Sequence, residues 1–261
     1  MGSLQFEGVF AKLARASELT AILEGEFDKH TSMSSVKTES DFELDGRRWV
    51  LRASSDGELP AIFAVMTGEI VHHLASSLDH LFAALVSSSG REIRRDHYFP
   101  VYVNHADYLA RVDKRSLLDG LPEHVVSKIK EVQPFTSDTP KDTVLAAVKE
   151  LNNQDKHRLL VVLHAAATIA DNLELGHDEP SNRTPKITGF WTPPQLVPLT
   201  PRMQKIFAVD LADPAPSFWA KPNIRRYLIL ANCGEAKNVP AIRTLRALIA
   251  GVTHTVEMFT N

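Results

Sequence analysis

The polar run Asn152-Asn153-Gln154-Asp155-Lys156-His157-Arg158 constrains the fold of this chain more than any other segment. Val144, Val148 and Leu151 precede it at helical spacing, and the apolar stretch Leu159-Leu160-Val161-Val162-Leu163 follows. An amphipathic helix solvates its charged residues on the face opposite the apolar stripe. Here they interrupt the stripe itself, so they either meet polar partners inside the fold or line a site. A buried polar group with neither is too costly to keep.

Hydrophobic periodicity predicts four long helices around this run. The first covers roughly residues 4–27, with Phe6, Phe10, Leu13, Leu19, Ile22 and Leu23 on one side. The second opens at Pro60, a favourable first-turn residue, and runs to about Val86 with the stripe Phe63, Met66, Ile70, Leu74, Leu78, Leu81 and Leu85. The third spans about Thr143 to Asp171 and carries the polar run inside it. The last begins at Asn238-Val239-Pro240 and repeats Ile242, Leu245, Ile249, Val252, Val256 and Phe259, a narrow seam suited to helix packing. Between the second and third, Phe99-Pro100-Val101-Tyr102 reads as extended, followed by a helix-rich connector from Ala106 to Val132, broken near Gly120 and Pro122.

Strand signals are fewer. Asp45-Gly46 between the β-prone runs Asp41–Leu44 and Arg47–Arg52 predicts a tight hairpin with both central residues at positive φ. Prolines crowd the window from Asp178 to Pro222, which excludes helix there, while Ile206–Leu211 and Arg226–Leu230 read as strands. The expected fold is α+β and mainly α: a bundle of long helices with a small antiparallel sheet from the early hairpin and the Pro-rich C-terminal third. A single domain is expected over 1–261, with a helical core at about 59–171 plus 238–261 and β or irregular parts at about 41–53 and 178–231.

Several function classes fall away on the same evidence. Neither GxGxxG nor GxxxxGK[ST] occurs, so dinucleotide-fold and P-loop readings fail at their defining residues. A formal net charge of −3 provides no global field for duplex DNA. One cysteine, Cys233, excludes an internal disulfide and a cysteine-rich zinc site and fits a reducing compartment. The N-terminus lacks the basic start and apolar run of a signal peptide, and no apolar run reaches the roughly 18–20 residues that span a bilayer. The expectation is a cytoplasmic protein with no membrane partner.

Within the second helix, Glu69, His73, Ser76 and His80 share a narrow arc at 100° per residue, bordering the apolar stripe. A carboxylate beside an imidazole raises the imidazole's pKa and fixes its tautomer, as a general base or a metal ligand needs. Asp155 continues the line Val148, Leu151, Val162, and Arg158 follows one turn on. His157 and His164 share another face with Asn153. His73, His80, Asp155 and Arg158 are thus the candidate catalytic residues, and Glu69, Asp79, Asn153, Lys156 and His157 the candidate ligand-binding ones. Glu69-x-x-His72 matches one step of a carboxylate-bridged di-iron bundle, but no second step accompanies it, so no metal and no cofactor is assigned.

The segments Gly68-Glu69-Ile70-Val71-His72-His73-Leu74, Leu78-Asp79-His80-Leu81, Phe99-Pro100-Val101 and Asn153-x-Asp155-Lys156-His157-Arg158 resemble a large group of uncharacterised bacterial proteins. Their pattern is G-E-hydrophobic-x-H-N-L-R-S-x-L-D-H, then F-P-I, then N-x-x-D-K-H-R, spread here over about residues 59–165. The group is distantly similar to the HEPN class of helical nucleic-acid-acting domains, some of which cleave RNA through an arginine and a histidine on one helix. That resemblance implies acid–base work for His80 and phosphate stabilisation by an arginine. This chain departs from the pattern with Ala75 at the arginine position, which leaves Arg158 as the alternative cation.

Three readings follow. The leading one is an RNA- or nucleotide-acting site between helices two and three, with His73 and His80 as acid/base groups, Asp155 orienting, and Lys156 and Arg158 binding phosphate. The second is a non-catalytic interaction protein whose polar residues form a structural network and whose C-terminal seam docks a partner or a second copy. The third is metal-dependent hydrolysis through Glu69, His72 or His73, and Asp155. A structural network would make Asp155→Ala and Arg158→Ala each destabilising by several kcal/mol, whereas a functional site would leave stability near neutral.

Overall fold

The computed structural model describes residues 6–56, 59–112, 116–158, 160, 162–178 and 185–260. Its helices are α1 (Glu7–Met33), α2 (Ile62–Ser88), α3 (His105–Val112), α4 (Glu123–Glu131), α5 (Val144–His157) and α6 (Ala241–Thr260). Its strands are β1 (Lys37–Glu43), β2 (Arg48–Ser54), β3 (Val162–His177), β4 (Ile187–Trp191), β5 (Val197–Pro198), β6 (Gln204–Leu211), β7 (Phe218–Cys233) and β8 (Ala236–Pro240). They form two four-stranded antiparallel sheets, in the orders β1-β2-β6-β4 and β5-β3-β7-β8.

This corrects the expected architecture. The protein is α+β, but it is not a bundle of long helices with one small sheet. The third helix does not continue to Asp171. It ends at His157, Arg158 is already extended at φ −165° and ψ 154°, and Val162–His177 is a strand. An all-apolar stretch has no period, so a buried helix and a buried strand look alike in it. What decides is β7: Val162–Ile169 pairs with Leu230–Asn223 residue for residue, satisfying the backbone of both. Leu159 and Val161 lie outside the described residues, as do residues 179–184 of the Pro-rich window.

The remaining strands extend what the sequence suggested. The hairpin forms as β1 and β2, with Asp45 and Gly46 at φ 54° and 85° and Arg47 N–H donating to Leu44 O at 3.2 Å. Ile206–Leu211 lies within β6 and Arg226–Leu230 within the longer β7. Pro222 sits inside β7 without a backbone N–H to donate, and the β3–β7 register shifts opposite it, between Ile169 and Glu174.

Two apolar cores result. Trp49, Leu51, Phe207 and Val209 build one with Phe218 and Ala220 from the start of β7. Leu228 and Leu230, further along the same strand, join α1, α2, α5 and α6 in the other. Strand β7 thus ties the sheets to the helices. All seven stripe residues of the second helix, Phe63 to Leu85, are buried in α2. In the first helix the true core side is Val9, Leu13, Ala16, Leu19, Leu23 and Phe27, while Phe10 and Ile22 are exposed. The C-terminal seam is consumed internally, because Leu245, Val252 and Val256 are buried in the helical core. Among the described residues no helix is long and apolar enough to cross a membrane.

Candidate functional site

Helix α5 reaches α2 at Gly68. A methyl group there would fall 2.2 Å from Asp155 Oδ1 and 2.5 Å from its Cγ, so the bare backbone of α2 is what admits the carboxylate. Asp155 is half-buried, and burial raises its pKa; His72 opposes the rise and Glu69 adds to it. Its neighbours are therefore Gly68, Glu69 and His72, not His73 and His80. Gly68→Ala should cost net stability of about 1 kcal/mol, because overpacking (about 1–3 kcal/mol) exceeds the helix-propensity gain of about 1 kcal/mol. A double-mutant cycle with Asp155→Ala in urea should show coupling of roughly 1 kcal/mol or more. A Gly68→Ala variant as stable as the native chain would contradict this packing.

Two turns further along α2, a cavity of about 280 Å³ opens between α2, α5 and the chain at residues 96–102. Its wall at Phe99–Tyr102 belongs to no helix or sheet, so its backbone groups need other partners. Three side chains supply them. Asp79 accepts from Phe99 N–H at 3.0 Å. Gln133 accepts from Tyr102 N–H at 3.1 Å and donates to Pro100 O at 2.7 Å. Lys149 Nζ donates to Val101 O at 2.6 Å and lies 4.9 Å over the Tyr102 ring, a cation–π contact. Burial raises the pKa of Asp79, against the pull of the Phe99 amide and of Lys156. Burial lowers the pKa of Lys149, with Arg111 adding to it.

The polar run splits along its length. Asn152, Asn153 and Lys156 line this cavity, Asp155 turns to Gly68, and Gln154 bonds Glu150 at 2.8 Å. His157 and Arg158 are exposed, so the expectation that Arg158 faces the core beside Asp155 does not hold; the helix ends before Arg158 can complete that face. A second cavity, of about 460 Å³, shares Val101, Tyr102, Lys149 and Asn153 with the first.

The histidines go elsewhere. His73 is half-buried on the side of α2 that meets α1, with Nδ1 buried and unpartnered among the described residues, and burial together with Lys12 lowers its pKa. His80 is exposed, and a methyl group on Gly8 of α1 would come within 3.0 Å of its Nδ1. Glu69 is exposed. His164 lies on β3 against Phe27, not on a helix with His157. His73 and His80 therefore border α1, while Glu69 stays exposed near Asp155 of α5: an arc fixes mutual direction on one helix, not the neighbour each side chain meets. Among the described residues no three His, Cys, Asp or Glu side chains come together as metal ligands.

Of the sequence-derived site residues, the cavity gathers Asp79, Asn153 and Lys156. Gln133, Lys149, Asn152 as a lining residue, and the tyrosines Tyr98 and Tyr102 join the site without a signal in the sequence. Lys149 reads in sequence as a solvated helix residue, and only the crossing of residues 99–102 over it makes it otherwise. No protein-family model matches the chain, and no curated protein or solved structure matches it either.

Proposed function

We propose that this chain, in a cytoplasmic setting that its single cysteine fits, binds a nucleotide, free or at the end of an RNA strand, in the α2–α5 cavity. The observation that carries this reading is the convergence on one concavity of Lys156, the amides of Asn152 and Asn153, and the rings of Tyr98 and Tyr102. Lys156 takes phosphate as an ammonium donor. The asparagines offer both donors and acceptors to base edges, and Tyr98, which is 63% exposed, presents a stacking face. Asp96, also in the lining, suits ribose hydroxyls.

Binding is favoured over cleavage. Ala75, where the HEPN-like pattern carries arginine, lines the cavity, while His80 turns toward α1. The exposed Arg158 is not among the lining residues. Arg111 is in the lining but no histidine is, so among the described residues no arginine–histidine pair stands at the cavity as that chemistry requires. Calorimetric titration with adenosine and uridine monophosphates should give saturable binding that Lys156→Gln weakens about tenfold, or 1.4 kcal/mol. Absent binding, or equal binding by the variant, would sink the proposal.

The structural-network reading keeps one observation in its favour: the hydrogen bonds of Asp79, Gln133 and Lys149 end on backbone groups of residues 99–102. In that reading the same substitutions move stability alone, and no mononucleotide binds.

A further inference from the structure

A different concavity, of about 530 Å³, lies where α1, β7 and the start of α6 meet. Four arginines surround it: Arg225 and Arg226 of β7, and Arg243 and Arg246 of α6. Its acids are Glu24 and Asp28, so the local formal charge is +4 − 2 = +2 in a chain of net −3. It shares no lining residue with the α2–α5 cavity.

Solvation alone is the ordinary account of an exposed arginine, and it explains this set poorly. Glu24 meets Arg246 at 2.6 Å, but among the described residues neither the Arg225 nor the Arg243 side chain makes a hydrogen bond or ion pair. Arg226 donates to Ser34 O at 2.7 Å, a neutral acceptor that leaves the guanidinium charge in place. That charge is felt beneath the groove, where after burial Arg226 is the next cause holding the His164 imidazole neutral. Arg243 stands in the first turn of α6, which contains no acidic residue. A helix N-terminus is already positive, so a cation there is unfavourable until an anion arrives. Four arginines drawn from a strand and a helix remote in sequence thus line one hollow with too few acids to neutralise them. Tyr227, also in the lining, adds an aromatic face.

We propose that this groove binds the sugar–phosphate backbone of a single-stranded nucleic acid. Arg225 and Arg243 contact phosphates, the N-terminus of α6 adds to the positive field, and Tyr227 stacks a base. This groove is independent of whether the α2–α5 cavity holds a ligand.

Fluorescence anisotropy with a labelled oligouridylate of about a dozen nucleotides tests it in the full chain. The native protein should bind, and binding should weaken between about 0.05 and 0.2 M salt. The double variant Arg225→Gln/Arg243→Gln should bind at least about tenfold more weakly, with the log–log salt slope shallower by about 1.4 for two lost phosphate contacts on a single strand. Both side chains are exposed, and an unchanged melting temperature confirms folding. Lys156→Gln provides the separate arm. Loss of mononucleotide binding there, with oligonucleotide loss only in the arginine variant, supports two sites. If mononucleotides fail to bind at all, the groove still stands on the arginine result. No oligonucleotide binding, equal binding by the arginine variant, or binding to phosphatidylserine vesicles in place of the oligonucleotide would overturn the proposal.

Discussion

Replacing His164 with phenylalanine is expected to remove a large part of this protein's sensitivity to acid. His164 is 5% exposed on β3, edge-on to Phe27 at 5.8 Å, and its Nε2 has no hydrogen-bond partner among the described residues. Burial, then Arg226 and His30, push its pKa down from 6.5 to about 4. Between those values the unfolded chain binds a proton that the native state refuses, so stability rises with pH across the window. The stability is complete above about 6.5 and lost as pH falls toward 4. At about 1.4 kcal/mol for each tenfold change in proton affinity, the native chain forfeits roughly 3 kcal/mol there. Other groups also titrate in acid: the carboxyls of Glu43 and Asp210 are held below their ordinary values by Lys205 and Arg48 and lose those pairs when protonated. Urea midpoints of native and His164→Phe proteins at pH 7 and near 4.5 isolate the histidine. The variant should be close to native stability at pH 7 and clearly more stable in acid. Parallel curves would show that His164 is free to take a proton in the folded state.

Asp79 provides the second large effect, and its two substitutions should move in opposite directions. Asp79→Ala leaves the Phe99 N–H without its charged acceptor and should cost about 1.5–3 kcal/mol. Asp79→Asn keeps an oxygen for that N–H and removes a charge that burial penalises. Because burial raises the folded-state pKa of this carboxyl, the native state holds the proton more tightly than the unfolded chain. Its contribution is most favourable below the ordinary value of 3.8 and declines as pH rises through the raised value. At pH 7 the melting temperatures should therefore rank alanine below native, and asparagine at or above native. An asparagine variant as damaged as alanine would mean that the negative charge itself, through Lys156, holds the segment.

The contrast between Asp79 and Arg158 shows what was legible in the sequence. The stripe from Phe63 to Leu85 determined α2, and Asp45-Gly46 determined the hairpin, because each signal is local and has one period. The stretch after His157 has no period, and its partner strand begins more than fifty residues later, so its strand identity is set by pairing with β7. Once the helix ends there, Arg158 and His164 lose the helical directions assigned to them. Asp79, Asn153 and Lys156 come together at one cavity because both parent helices extend to those positions. Gly68 carries no packing signal in the sequence, yet its missing side chain sets how closely α5 approaches. Gln133 and Lys149 act on the backbone of a segment remote in sequence, and no spacing rule connects them to it.

That the α2–α5 cavity holds a nucleotide is tested most directly by locating the ligand. Amide resonances of isotope-labelled protein should be followed during titration with adenosine monophosphate. Saturating shifts centred on Tyr98–Tyr102 and Lys149–Lys156, and abolished in Lys156→Gln, are the predicted result. Shifts confined to the arginine groove around Arg225 and Arg243, or no shifts at all, would contradict it.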